Sequence, residues 1–242
     1  MAFLAGGGAR PLKRFYERAA CEAAEAGFEV RLDDRPARTP QRRPLAAPTR
    51  ALGEAIAAEW DAQEESVDLR AMPLTRLLTT ALDRAEADAA AWRAEALAFM
   101  ASDLLCYRAP APEALRDRQT AEWDPYLEWA SDVLSAPLKT TEGVMAIEQP
   151  KESLAAIDAR LAQAAPLALL AIKTMAEIAG SLILALAVAE GKSAPAEAFA
   201  ASQLDETFQA EQWGVDAEAE ERRAQLRRAF LDAARFLDLA RD

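Results

Sequence analysis

The chain has 242 residues, of which 52% are hydrophobic and 28% are charged, a balance typical of globular proteins with a substantial core. Its net charge of −12 repels phosphate backbones and acidic lipid surfaces, so we expect no nucleic-acid partner. Histidine is absent, which excludes Ser-His-Asp and Cys-His nucleophile systems, the usual zinc sites and carboxylate–histidine di-iron sites.

The thiols and the apolar segments indicate an intracellular protein without membrane insertion. Cys21 and Cys106 lie outside any Cys-x-x-Cys spacing, which favours two reduced thiols. The first residues lack the apolar core of a secretory signal, and Glu17 and Glu22 interrupt the acid-free character of an organellar presequence. The most apolar stretch, IAGSLILALAVA at 178–189, is too short to span a bilayer and predicts a buried helix.

The β-rich part of the chain is predicted near the N-terminus. Residues 27–48 alternate apolar and polar side chains and then turn at successive aspartates and prolines, which is typical of short strands and hairpins. Thr49 is expected to cap the helix that follows. We therefore predict a small β-containing N-terminal domain with one helix over residues 1–70.

Residues 71–242 are predicted to form a larger, mostly α-helical domain, so the expected fold class is α+β. Pro73 is placed in a helical first turn, and Pro125 at a bend or in a new first turn. GVMAIE at 143–148 predicts a lone strand. Helical periodicity predicts helices near 73–84, 86–107, 113–134, 151–163, 166–189, 194–209 and 216–240.

The five tryptophans divide into two groups. Trp60, Trp92, Trp123 and Trp129 stand within apolar periodic segments and are expected in the core. Trp213 lies between two predicted helices, where it either packs at the junction or stands exposed as an anchor for a protein partner.

The segment LDETFQAEQWG at 204–214 concentrates carboxylates beside that tryptophan. On a helix, Asp205 and Gln209 share a face, whereas Glu206 projects about 100° away from Asp205 with Gln209 still within reach. The carboxylates therefore do not converge by helical geometry alone. Gly214 is suited to end this helix and Asp216 to cap the next one, which gives Asp216 a structural alternative to any binding role.

Catalytic and ligand-binding interpretations of the acidic segment have weak support. Glu206 and Glu211 could act as general acid and base without histidine, as carboxylate pairs do in glycosidases, but nothing marks a sugar cleft. DAEAEE from residue 216 lacks the central glycine of a calcium loop. AGGGAR at 5–10 lacks the residues of a nucleotide loop and is interpreted as a flexible end. We expect no metal and no cofactor.

Several blocks of the chain resemble one protein family, and they occur in the family's order from about residue 14 to 239. The blocks are RFYERA, LDDRPARTP, AIAAEWDAQ, MPLTRLLTTALDR, SDLLCYRA, WDPYLEWA and LDETFQAEQWG. The chain resembles the assembly chaperones of the α subunit of the F-type ATP synthase catalytic sector. One departure is Asp34, which stands where many members have glycine.

The resemblance implies a protein that is not an enzyme. Such chaperones bind the unassembled α subunit, shield the surface that later faces β subunits, and release it during assembly. It also implies a bacterial cytoplasmic location, with the mitochondrial matrix as the equivalent compartment of eukaryotic members. The family's important acidic residue lies in the block at 204–214, where Glu206 and Glu211 are the preferred candidates. The full set of candidate partner-binding residues is Asp205, Glu206, Gln209, Glu211, Trp213 and Asp216.

Two rival functions remain open at this point. The first is an acid-dependent hydrolase or lyase that uses Glu206 and Glu211, which requires one of these acids to face a concave pocket. The second is a static scaffold that stays in the finished complex and therefore copurifies with the assembled ATPase.

Overall fold

The structure is a computed structural model that describes residues 12–241, so the glycine-rich segment at 5–10 lies outside the described residues. The strands are β1 (Leu12–Lys13), β2 (Ala19–Ala24), β3 (Gly27–Leu32), β4 (Arg35–Pro36), β5 (Ala46–Ala47), β6 (Ser66–Val67), β7 (Tyr107–Arg108) and β8 (Thr141–Glu142). The helices are α1 (Arg50–Asp61), α2 (Pro73–Ala98), α3 (Glu113–Leu134), α4 (Lys151–Ala162), α5 (Pro166–Ala179), α6 (Leu182–Ala189), α7 (Pro195–Ser202), α8 (Leu204–Trp213) and α9 (Ala217–Leu239). A strand-containing N-terminal part followed by a larger helical part confirms the α+β class.

The described chain divides into two compact units. The first comprises residues 12–83 and 239–241, and the second comprises residues 84–238. The division falls within α2, so the first turns of this helix belong to the first unit. A boundary between independently folding domains at residues 70 and 71 stays a prediction.

The first unit is built on a four-stranded antiparallel sheet. β3 pairs with β2, β4 and β5, which confirms the strands expected within residues 27–48. β2 was not predicted, because its alanine-rich sequence AACEAA lacks the β-branched and aromatic residues that are typical of strands. The side chain of Val30 is fully buried.

The turn between β3 and β4 does not need glycine at position 34. Leu32 pairs with Arg35, so Asp33 and Asp34 are the two turn residues, and of these only Asp33 has a positive φ, of 54°. Aspartate tolerates the left-handed region better than most residues. Oδ1 of Asp33 accepts hydrogen bonds from the backbone N–H groups of Glu17 (3.0 Å) and Arg18 (2.9 Å), and these bonds hold the pKa of Asp33 below its usual value.

Helix α1 begins as predicted and lies against the sheet. The Oγ1 of Thr49 accepts a hydrogen bond from the backbone N–H of Leu52 (3.1 Å), which confirms the N-cap. Gly53 is buried where the helix meets the sheet, and a Cβ added at this position would lie 2.5 Å from Sγ of Cys21. Only a residue without a side chain permits this approach of helix to sheet.

Several predicted helix boundaries in the second unit are corrected. The blocks expected at 73–84 and 86–107 form one helix, α2, that ends at Ala98. Pro125 lies inside α3 and does not begin a new helix there. The helix expected at 166–189 is divided at Gly180, which has a φ of 66°, and the helix expected at 194–209 is divided at Gln203.

The strand predicted at 143–148 is wrong. In that region only Thr141 and Glu142 pair, as β8 beside β7, and the following residues form a loop. Val144 is 95% exposed and Met145 is 75% exposed. The β propensity of the segment finds no neighbouring strand to pair with in the described chain.

The core of the second unit surrounds α6. Every residue of α6 except Val188 is buried, which confirms the buried helix predicted within 178–189. Trp92 and Trp123 are buried as predicted, and Nε1 of Trp123 donates a hydrogen bond to the carbonyl oxygen of Ala201 (2.9 Å). Trp60, in the first unit, and Trp129 are only partly buried, so their assignment to the core holds in part.

A buried carboxylate caps the first turn of α6. Asp103 is fully buried, and its two oxygens accept hydrogen bonds from the backbone N–H groups of Leu105 (3.2 Å) and Ile183 (3.2 Å). Burial in a medium of low polarity disfavours the charged form and raises the pKa of Asp103 to about 6. Burial also raises the pKa of the Cys106 thiol, to about 12.

Cys21 and Cys106 both carry free thiols, as predicted. Within residues 12–241, no helix has the length and apolar character needed to cross a membrane.

Candidate functional site

The acidic segment singled out in the sequence forms α8 and its junction with α9. Leu204, the first residue of α8, is buried. Gly214 ends the helix with a φ of 92° and is followed by a short connection. Oδ1 of Asp216 accepts a hydrogen bond from the backbone N–H of Glu218 (3.1 Å), which confirms the capping role predicted for Asp216.

Asp205 is tied to α3 instead of projecting into solvent. Its Oδ1 accepts a hydrogen bond from Nε2 of Gln119 (2.7 Å), a residue that is fully buried. The other side of the same amide is also used, because Oε1 of Gln119 accepts from the backbone N–H of Ala109 (2.8 Å). Asp205 therefore completes a buried amide that would otherwise have an unpaired donor.

A buried arginine, Arg108, binds the backbone of the same residue, Gln119. Nη1 of Arg108 donates to the carbonyl oxygen of Gln119 (2.6 Å), and Nη2 donates to Oδ1 of Asp124 (2.6 Å). The guanidinium group also lies 5.2 Å from the ring centroid of Trp123. This arginine was not predicted as a site residue, although it stands in the family-like block SDLLCYRA. Its partners are far from it in sequence, so no local pattern pointed to them.

Glu211 is also fixed to α3. Its two carboxylate oxygens lie 3.0 Å and 2.7 Å from Nη1 of Arg118. Leu204, Thr207 and Glu211 follow one another at three and four residues along the inward face of α8. Nη1 of Arg223, on α9, donates to Oγ1 of Thr207 (3.2 Å), so α8 has polar attachments to two helices.

The outward face of α8 carries a different set of side chains. Glu206, Gln209 and Trp213 recur at three and four residues, and all three are exposed. The side chain of Glu206 has no hydrogen bond or ion pair with any other residue in the described part of the chain. Trp213 is 80% exposed and Val215 is 67% exposed. The structure therefore places an aromatic side chain of large area in solvent at the end of a polar helical stripe.

A groove of about 380 Å³ lies beside α8, between α3, α7 and α9. Its lining includes Arg118, Phe199 and Arg223, and it does not include Glu206 or Glu211. The acid-dependent hydrolase needed one of these two carboxylates to face a concave pocket, and this groove does not meet that requirement. In addition, Glu211 is occupied by its ion pair with Arg118.

The acidic residues do not assemble a metal site. Among residues 12–241, no group of three or more Cys, Asp or Glu side chains is arranged so that it could hold a metal ion. Two carboxylates of α8, those of Asp205 and Glu211, bind different residues of α3 instead, and that of Glu206 is exposed.

Comparison with known proteins decides the family. The family model for the ATP12 chaperone protein matches residues 13–131. The crystal structure of Atp12 from Paracoccus denitrificans is 42% identical, with a TM-score of 0.90 over 95% of this chain and 99% of that chain. The chain belongs to the ATP12 chaperone family.

Two further solved structures agree with this assignment. A mutant of Atp12p from P. denitrificans, with lysine in place of an aspartate, is 42% identical with a TM-score of 0.90, covering 95% of this chain and 98% of that chain. The Agrobacterium tumefaciens protein Atu1473, to which a chaperone function is ascribed, is 46% identical with a TM-score of 0.90, covering 95% of this chain and 86% of that chain.

Membership of the ATP12 family confirms the resemblance found in the sequence. The family acts in ATP synthase assembly, and its members are chaperones and not enzymes, as expected for this chain. A chaperone requires a surface for a protein partner, not a catalytic cleft. On this ATP12 family member, Trp213 at the end of α8 is an exposed side chain of a type enriched in protein interfaces.

Proposed function

We propose that this ATP12 family member binds the unassembled α subunit of the F-type ATP synthase catalytic sector and masks the surface that later faces the β subunit. The observation that carries the proposal is the exposed Trp213 at the end of the stripe formed with Glu206 and Gln209. A tryptophan anchors protein interfaces well, because one rigid side chain buries a large area. We infer that α8 presents this anchor to the client.

The six residues singled out in the sequence take two different roles in this proposal. Asp205, Glu211 and Asp216 position the surface, because each is engaged by other residues of the chain. The exposed residues of the outward stripe contact the client directly. A negative charge at Glu206 favours a basic patch on the client beside the apolar pocket that receives the tryptophan.

Masking and release follow from the geometry of the ring. An isolated α subunit exposes an apolar surface made for a neighbouring subunit, and such heterologous surfaces associate with other copies unless they are covered. The β subunit competes for the same surface of α, so its binding displaces the chaperone by mass action. Release on this route needs no nucleotide hydrolysis. A static scaffold would instead remain bound after β is added.

The proposed compartment is the cytoplasm of a bacterium, and the equivalent compartment of eukaryotic relatives is the mitochondrial matrix. Both cysteines are free, which agrees with a reducing environment.

The proposal is tested by mixing the purified protein with isolated α subunit and following the solubility of α and coelution by size exclusion. We expect a complex that keeps α in solution and dissociates when β subunit is added. If α aggregates as fast with the protein as without it, the client assignment is wrong. If the complex persists after β is added, the scaffold function replaces the chaperone function.

The surface itself is tested with Glu206→Lys and Trp213→Ala. Both side chains are exposed, so we expect folding to be unchanged and the affinity for α to fall at least tenfold for Trp213→Ala. Asp132→Lys is the matched control, because Asp132 is an exposed carboxylate near the end of α3. Equal loss of binding in the control would show a general charge effect and would reject this surface.

A further inference from the structure

Exposed apolar side chains are concentrated in two places of the second unit. Among residues 12–241, large apolar side chains are exposed at Phe15, Leu69, Val133, Val144, Met145, Trp213 and Val215. Two of these are neighbours in the loop at 143–148, hereafter the β8 loop. Two others stand at the junction between α8 and α9. Isolated exposed apolar residues are common, but adjacent pairs of them favour an interaction surface.

Each apolar pair follows, by two residues, a glutamate that forms an ion pair with the first turns of α3. Nη1 of Arg116 lies 3.4 Å from Oε1 of Glu142, directly before the β8 loop. Nη1 of Arg118 lies 2.7 Å from Oε2 of Glu211, two residues before Trp213. Residues two apart on a helix point about 200° apart around the axis. The first turns of α3 therefore lie between the two apolar pairs.

The β8 loop is fixed at both ends while its apolar middle is exposed. The backbone N–H of Gly143 donates to the carbonyl oxygen of Arg108 (2.8 Å). At the other end, the side chain of Gln149 accepts from the backbone N–H of Lys139 (2.9 Å) and donates to its carbonyl oxygen (3.0 Å). Between these points, the backbone of residues 144–147 makes no hydrogen bond to another described residue. Because both ends are fixed, only these few residues remain to be ordered on binding, which limits the cost in chain entropy.

We propose that Val144 and Met145 form a second contact for the client, on the opposite side of α3 from Trp213 and Val215. The inference rests on the proposed function, because it assigns both contacts to the same unassembled α subunit. The occupant of the β8 loop surface is an apolar segment of that client with lysine or arginine beside it.

The charges around the two contacts select this occupant. Asp117 on α3, Glu148 in the β8 loop and Glu206 on α8 are exposed, and none of their carboxylates has an ion pair with another described residue; Nζ of Lys139 donates to the backbone carbonyl oxygen of Glu148 (3.3 Å). These carboxylates attract basic groups that flank an apolar segment. A second copy of this chain is disfavoured, because it brings the same carboxylates and a net charge of −12 to the contact.

When two contacts bind the same client, the factors by which each raises the affinity multiply. Once the first contact has formed, the second forms within one complex, at a high effective concentration. Loss of either contact should therefore weaken binding without abolishing it, and loss of both should weaken it by the product of the two factors. A single continuous site around Trp213 predicts no such behaviour for the β8 loop.

The test compares the double variant Val144→Ser, Met145→Ser with the wild-type protein, using purified α subunit as the probe. We expect the Kd for α to rise about tenfold, and about a hundredfold when Trp213→Ala is added. The matched control is Val133→Ser, since Val133 is 60% exposed near the far end of α3. Its Kd should stay within about twofold of the wild-type value, and the thermal unfolding of all variants should coincide.

Each outcome has a separate meaning. If the wild-type protein does not bind α, both the client assignment and this inference are overturned. If the wild-type protein binds and the double variant binds equally well, only the second contact is overturned. If the double variant lowers the oligomeric state of the free protein, measured by sedimentation, without changing the Kd for α, the occupant is a second copy and the inference is again overturned.

Discussion

Burial of Asp103 should make the stability of the protein depend on pH, whether or not a client is bound. Its pKa in the folded protein is about 6, against a usual value of 3.8, and the cause is burial. Between these two values the folded state holds a proton that the unfolded state has lost. Stability from this residue is therefore fully present below pH 4 and is lost as pH rises through 6. The whole change corresponds to about 3 kcal/mol in the free energy of unfolding.

The perturbation that isolates this effect is Asp103→Asn. Asparagine cannot ionise, so the difference in unfolding free energy between the variant and the wild-type protein should depend on pH. As pH rises from 5 to 7.5, the stability of the variant relative to the wild-type protein should increase by roughly 1.5 kcal/mol, about half of the full change. The two oxygens of Asp103 accept hydrogen bonds from Leu105 and Ile183, whereas the side-chain amide of asparagine has only one oxygen to accept with. The free energy of unfolding of the variant should therefore also be lower by about 1–3 kcal/mol at every pH.

Urea unfolding at dilute protein concentration measures this difference, and the range from pH 5 to 7.5 stays above the sequence pI near 4.7. Taking the difference cancels the other carboxylates, among them Asp33, whose pKa is lowered and which acts in the opposite direction. A difference that is constant over this range would refute the account, because it would show that Asp103 titrates alike in both states.

Three further changes test packing and capping. Gly53→Ala should lower the free energy of unfolding by about 1–3 kcal/mol, because its Cβ would lie 2.5 Å from Sγ of Cys21. This loss should exceed the gain from the helix propensity of alanine. Adding Cys21→Ala should restore part of the lost stability, as measured by urea unfolding. Glu59→Ala should lower the free energy of unfolding by about 1–2 kcal/mol, since the carboxylate of Glu59 accepts two backbone N–H bonds (2.8 Å each) in the first turn of α2. An unchanged midpoint of thermal unfolding would contradict this expectation. Asp205→Ala should lower the free energy of unfolding by about 1–3 kcal/mol, because it leaves the buried amide donor of Gln119 unpaired. Glu206→Ala should change it by less than about 0.5 kcal/mol. Equal effects would mean that the two carboxylates do not differ in role.

Local chemistry made much of the fold predictable. Thr49 caps α1, Pro73 opens α2, Gly214 ends α8 and Asp216 caps α9, and each of these depends only on the residue and its near neighbours. The β2 strand was missed because it is stabilised by pairing with β3, not by its own composition. Periodicity also failed to show the break at Gln203, since apolar and polar residues continue in phase across it.

The sequence located the acidic segment that forms α8, but it did not show which of its carboxylates bind within the chain and which are exposed. Sequence spacing separated Asp205 from Glu206 by about 100° on a helix, yet it did not show which of them faces the protein. That depends on Gln119 and Arg118, which lie on α3 far away in sequence. Glu211, one of the two preferred acids, is the partner of Arg118 and so has a structural task that its sequence block does not reveal.

Under the proposed function, the arrangement of α8 gives its acidic cluster the role of positioning a surface for a protein partner. Carboxylates on its inner side lock the helix to α3 through a buried amide and an arginine. Trp213 is 80% exposed at the end of this fixed helix. A preformed anchor loses little entropy when it binds, which favours capture of a client in competition with aggregation. If a β subunit covers the shared surface of the client, as proposed, release follows by mass action, and the contacts that fix α8 do not oppose it because they lie within this chain.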